Sequence, residues 1–188
     1  MSGNSDAVNQ ALEEFRAYLE TLTFIQIDPR LRSKFGWSDV IQETLIKASR
    51  GLERIESMDP EDQKRLLRHM LVHSLLDEID RWRTVRRDVG REQSLDQAAE
   101  ESSGRLRNWL AVEDSSPGDR LMRQDEALRL LEALANLDPR YREALILQKY
   151  HGWTLAQIAE RMGCTTGAVA GYHARGLKEL RKLLPDME

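Results

Sequence analysis

Two stretches of the 188-residue chain hold side chains whose types and spacing suit work on a polyanion. The first, Asp80 to Arg91, sets Arg81, Arg83, Arg86, Arg87 and Arg91 around Trp82. Cations interleaved with an aromatic ring suit single-stranded or partly melted nucleic acid: charge tracks the backbone while a ring or guanidinium plane stacks on an unpaired base. The same residues also fit a plainer arrangement, with Trp82 packed into a core and the arginines paired with Asp77, Glu78, Asp80 and Asp88.

The second stretch, Thr154 to Leu184, reads as a helix-turn-helix. Thr154 can cap a short helix that turns Leu155, Ile158, Ala159 and Met162 inward. Gly163 falls where the chain must turn with positive φ, and Thr165 or Thr166 caps the next helix. Ala159, Gly163 and Val169 supply a small residue at a close crossing, a turn glycine and a β-branched plug. A helical hairpin that never meets DNA has the same signature. If the second helix enters a major groove, it presents Thr166, Gly167, Ala168, Ala170, Gly171, Tyr172 and Arg175. These are mostly small, so direct base readout is weak or rests on Thr, Tyr and backbone contacts. Arg175, Lys178, Arg181 and Lys182 are placed to hold phosphates.

Covalent chemistry has little to work with. His69 and His73 stand one helical turn apart without the H-E-x-x-H pattern or an evident third ligand, and Cys164 has no adjacent basic activator. A single cysteine also excludes an internal disulfide and a thiolate metal cluster. No phosphate-cradling glycine loop or serine elbow is present, and neither catalysis nor a cofactor is expected.

The formal charge of −4 conceals a blocky distribution. Residues 63–91 carry 8 basic and 4 acidic groups and residues 140–182 carry 8 and 3, while the flanking segments are acidic. Two basic islands in an acidic chain point to nucleic acid met at two separate places, although solvated helix faces have the same composition. The N-terminus has neither a basic head nor an apolar run for export, and no stretch is apolar enough to span a membrane, so a soluble cytoplasmic chain is expected.

Apolar residues recur at helical spacing nearly throughout, and no alternating strand pattern is visible. The first helix runs from Asp6 to Leu22, the second starts at an N-cap Ser38, and the third opens at Asp59-Pro60-Glu61-Asp62 with proline at its first position. Residues 93–119 shift to Ser, Glu, Ala and Asp and end in Ser115-Ser116-Pro117-Gly118, which reads as a linker; Leu106, Trp109, Leu110 and Val112 within it either dock or form a transient turn. Asp138-Pro139 then divides two further helices. The expected fold is all-α: two small helical domains, 1–92 and 120–188, joined by a flexible linker, the second containing the helix-turn-helix.

In this order and spacing the features resemble a bacterial RNA polymerase sigma factor of the sigma-70 class, extracytoplasmic-function group, over about residues 30–184. Ser38 to Leu45 is similar to the family's D-x-x-Q-E-T segment, and the resemblance implies that Asp39, Gln42, Glu43 and Thr44 bind core polymerase at its beta-prime clamp. Leu66 to Arg91 looks like the helix and loop that open the minus-10 element, implying DNA contacts by Arg81, Trp82, Arg83, Arg86 and Arg87. Leu137 to Leu184 looks like the minus-35 domain, which also meets the beta flap, implying contacts by Thr165, Thr166, Ala168, Ala170, Gly171, Tyr172, Arg175 and Lys178. The chain departs from the family's commoner residues at Leu66, His73 and Asp80, and at Ala168, Ala170, Gly171 and Tyr172. The implied partners are core polymerase and promoter DNA, with an anti-sigma factor as a further candidate. The expected function is transcription initiation without covalent chemistry. The alternatives are a stand-alone helix-turn-helix regulator and a helical module that sequesters another transcription protein.

Overall fold

The computed structural model describes residues 15–50, 55, 57–86, 93–113 and 120–185. All regular structure among the described residues is helical. Residues 15–26 form α1, followed by α2 (Pro29–Arg32), α3 (Trp37–Ser49), α4 (Pro60–Arg86) and α5 (Gln93–Glu113), then α6 (Arg120–Ala135), α7 (Pro139–Lys149), α8 (Leu155–Met162) and α9 (Thr166–Leu183). The chain divides into two compact units, Met1–Ser115 and Ser116–Glu188.

In the first unit α3 packs on α4, and α4 packs on α5. The periodic leucines and isoleucines make this core: Leu19, Leu22, Ile27, Leu31, Ile41, Leu67, Leu71, Leu75, Ile79 and Leu106 are all fully buried. Each such side chain contributes roughly 1.5–3 kcal/mol on leaving water. Three buried threonine hydroxyls are satisfied locally, Thr21 donating to Ala17 O (2.7 Å), Thr23 to Leu19 O (2.9 Å) and Thr44 to Val40 O (2.8 Å). Arg68 is buried as well, and its Nη1 donates to the Tyr18 hydroxyl at 2.7 Å.

Three helices, α2, α4 and α7, start at a proline. Asp28 and Asp138 each accept from the amide two residues on, ahead of Pro29 and Pro139 at the first helical position. Asp59 does the same for Glu61 at 2.9 Å. The expected cap at Ser38 is displaced: α3 begins at Trp37 with Gly36 as N-cap and without a side-chain cap, and Trp37 packs edge-on against Phe24 with centroids 5.0 Å apart. The proposed cap Asp6 lies outside the described residues.

Residues 93–113, taken as linker from composition, are instead a helix docked on the first unit, whose boundary falls at Ser115 rather than residue 92. Leu95, Ala98, Ala99, Ser102, Ser103 and Leu106 are all buried, at the three- and four-residue steps of one helix face. Small side chains let α5 approach closely. Ser102 Oγ accepts the Asp28 amide at 3.0 Å, and Arg105 Nε donates to Gln26 O at 2.9 Å, tying α5 to the chain just before α2. Of the apolar island, Leu106 docks fully while Trp109 and Leu110 are half-buried. The Ser115-Ser116-Pro117-Gly118 cluster lies outside the described residues.

Candidate nucleic-acid interface

The second unit assembles the helix-turn-helix from local signals. Thr154 forms a capping box with Gln157: its Oγ1 accepts the Gln157 amide (3.3 Å), while the Gln157 side-chain oxygen accepts the Thr154 amide (2.9 Å). Gly163 ends α8 in the left-handed region at φ 62°, and the Cys164 amide reaches back to Ala159 O at 3.0 Å. Thr165, not Thr166, caps α9, its Oγ1 accepting the Ala168 amide at 3.1 Å. Ile158, Ala159 and Val169 then close on Ala144 and Leu147 of α7, with Trp153, Leu155, Met162, Cys164 and Tyr172 around them. The crossing residue, turn glycine and plug inferred from spacing occupy those roles here.

Along α9, Thr165, Thr166, Gly167, Ala170, Arg175 and Lys178 are exposed, whereas Ala168, Gly171 and Tyr172 are partly covered. The Tyr172 ring turns toward α7, 5.9 Å from the Tyr141 ring, and the guanidinium groups of Arg140 and Arg175 each lie 5.6 Å from its centroid. Its ring therefore belongs to a cluster between helices and is less available on the outer face of α9 than its sequence position implied. Burial, then the charge of Lys149, hold the His173 imidazole below its ordinary value, so it is neutral at pH 7. Gly176 went unnoticed in the sequence: a Cβ there would stand 2.8 Å from Leu145 Cδ1 and 3.1 Å from Tyr141 Cβ, so a larger residue would require these neighbours to shift where α9 approaches α7. A glycine inside an exposed-looking helix was the available signal.

In the first unit, Arg81, Trp82 and Arg83 occupy the last turns of α4, which closes at Arg86. Arg81 is exposed and pairs with Glu78. Trp82 is half-buried, neither a core residue nor a free ring. Arg83 lies between Asp80 (3.9 Å) and Glu100 of α5 (2.8 Å), an acidic partner that sequence proximity did not suggest. The side chain of Arg86 and the whole of Arg87 lie outside the described residues. Among the described residues no group of three or more His, Cys, Asp or Glu could hold a metal. No helix among them is long and apolar enough to cross a membrane.

On α3, Asp39, Gln42 and Glu43 are exposed at helical spacing on one face, with Glu43 held by Lys47 at 3.0 Å. Ile46, 47% exposed, extends that face and had not been singled out from the sequence. Thr44 is a correction: it is fully buried with its hydroxyl donating to Val40 O, so it packs the core and cannot touch a partner.

Comparison with known proteins bears mainly on the second unit. Residues 127–180 match the family described as Sigma-70, region 4. The chain is 41% identical over 66 residues to the RNA polymerase sigma factor CarQ of Myxococcus xanthus, covering 34% of this chain and 38% of that protein. It is 32% identical over 73 residues to the ECF RNA polymerase sigma factor BldN of Streptomyces coelicolor (39% and 28%). Against the ECF RNA polymerase sigma factor SigG of Mycobacterium tuberculosis it is 26% identical over 156 residues, covering 78% of this chain and 41% of the relative. The matched stretch is thus less than half the length of each of these relatives. No solved structure matches the chain.

Proposed function

The chain belongs to the sigma-70 family, in its extracytoplasmic-function group, and from that premise we propose that it is a transcription initiation factor that binds core RNA polymerase and directs it to promoters. The observation carrying the proposal is the second unit: a capped helix-turn-helix packed on a preceding helix, coincident with the region 4 match over residues 127–180. In this reading α9 enters the major groove of the minus-35 element. Arg175 and Lys178 face the duplex, and the exposed amide end near Thr165 and Thr166 meets phosphate.

The first unit supplies the other half of the work. The outward face of α3, Asp39, Gln42, Glu43 and Ile46, docks on the polymerase clamp as an acidic patch with one apolar anchor. The C-terminal end of α4, with Arg81, Trp82 and Arg83 and continuing through Arg86 and Arg87, holds the opened minus-10 strand. No bond is made or broken; binding free energy favours the melted state of the DNA. The beta flap is the corresponding polymerase contact of the second unit, and an anti-sigma factor would compete for the same surfaces.

Polymerase pull-down combined with permanganate footprinting separates these roles. Charge reversal at Arg86 and Arg87 is expected to abolish reactive unpaired thymines while leaving polymerase binding intact. Reversal at Asp39 and Glu43 is expected to weaken polymerase binding first. Equal loss of both activities in both variants would refute the division of labour, and tight binding of the isolated chain to a palindromic duplex would identify a stand-alone regulator instead.

A further inference from the structure

The first two turns of α9 offer no side chain with a fork of donors: Thr166, Gly167, Ala168, Val169, Ala170, Gly171 and the inward-turned Tyr172. The nearest fork is Arg175, and it does not extend outward from its own turn. Its guanidinium lies back toward the helix N-terminus, as long helical side chains tend to. A Cβ at Gly171 would stand 3.2 Å from its Nη2 and 3.6 Å from its Cζ and Nη1. The group is also seated over two rings, 5.4 Å from the Tyr141 centroid and 5.6 Å from that of Tyr172. Arg140 and Arg161 are engaged by Asp138 and Glu143, both at 3.3 Å, whereas among the described residues no carboxylate pairs with the exposed Arg175.

Resting on the reading of α9 as the helix that enters the groove, we propose that Tyr141 and Gly171 are positioning residues that aim the Arg175 guanidinium at the base edge facing residue 171, with a guanine as its target. Glycine leaves the room, the Tyr141 ring limits the rotamers, and the fork is presented one turn nearer the reading end. Guanine O6 and N7 match a planar bidentate donor, and a pre-ordered fork loses less freedom on binding. Tyr141 lies on α7, outside the motif itself, so the base preference of α9 is set partly by the helix before it. Gly176 supports the same geometry by holding α9 against Tyr141.

The test uses holoenzyme, core polymerase with the full chain, selecting from duplexes randomised upstream of a fixed start. Wild type is expected to enrich one guanine that Arg175→Ala no longer selects. Gly171→Ala and Tyr141→Leu should each reduce that preference about tenfold or more while leaving other positions unchanged, and Tyr141→Phe should retain it. In an Arg175→Ala background, Gly171→Ala should change nothing further, which separates its effect on the guanidinium from any contact of its own methyl group. Gly171→Ala favours helix, so its loss of preference cannot be ascribed to unfolding.

A guanine preference that survives both Gly171→Ala and Tyr141→Leu overturns the proposal alone. So does a uniform weakening across all sequences on removing Arg175, which would mark a phosphate contact. Enrichment of no sequence by wild type overturns the DNA-reading assignment of α9, and this proposal with it.

Discussion

At Gly176 an added Cβ would stand 2.8 Å from Leu145 Cδ1, inside hard contact, and a tight 3.1 Å from the Tyr141 Cβ, whereas at Gly167, on the same helix, it would meet only Thr165 Oγ1 at 3.9 Å. The two glycines should therefore respond oppositely to substitution. Gly167→Ala is expected to stabilise the second unit by up to about 1 kcal/mol, because the site is open and glycine costs helical backbone entropy. Gly176→Val should destabilise it by about 1–3 kcal/mol through overpacking, and denaturant titration of both variants reads the difference in sign. Asp138 adds a pH-dependent term. The Arg140 side chain, then the Arg140 amide, hold its carboxyl below the ordinary carboxylate value. A depressed carboxylate stabilises the fold above its unfolded pKa, near 3.9, and that stability is lost as pH falls through the lower folded value. Asp138→Ala should cost about 1 kcal/mol at pH 7, where the cap is charged and bonded, and the gap to wild type should close below about pH 4.

Among the elements, α5 marks where composition misled and geometry corrected. Serine and alanine between acidic residues look like a solvated tether, yet Leu95, Ala98, Ala99, Ser102, Ser103 and Leu106 form one continuous buried face. A seam of small residues carries little hydropathy signal, and its partners around Gln26 and Asp28 lie far away in sequence, so no local pattern announces it. Leu106→Ala is expected to lower the stability of the first unit by about 2–5 kcal/mol, without altering the second, as hydrogen exchange followed unit by unit would register. The helix-turn-helix was legible for the opposite reason. Thr154, Gly163 and Thr165 act on neighbours within a few residues, and such caps and turns are written locally. The proposed contact residues were legible only as to position. Whether a side chain at a given position faces out depends on tertiary packing, which turned Thr44 and Tyr172 inward and left Ile46 outside.

Across the whole molecule, a net charge of −4 is a poor basis for unaided DNA binding, since non-specific affinity grows with neutralised phosphates. Under the proposed reading each unit would present only a few cations to a nucleic acid, and in the first unit Arg81 and Arg83 are already engaged by Glu78 and Glu100. Fixing both units on one polymerase would make the second DNA contact intramolecular and raise its effective concentration, so two weak contacts act as one selective one. The most direct measurement is run-off transcription by core polymerase on genomic DNA of the source organism, with and without the chain, followed by mapping of the starts. Discrete new starts that appear only when the chain is present, and share sequence at minus-35 and minus-10 spacing, are the predicted result. An unchanged set of starts, with no association between chain and polymerase, would contradict the account.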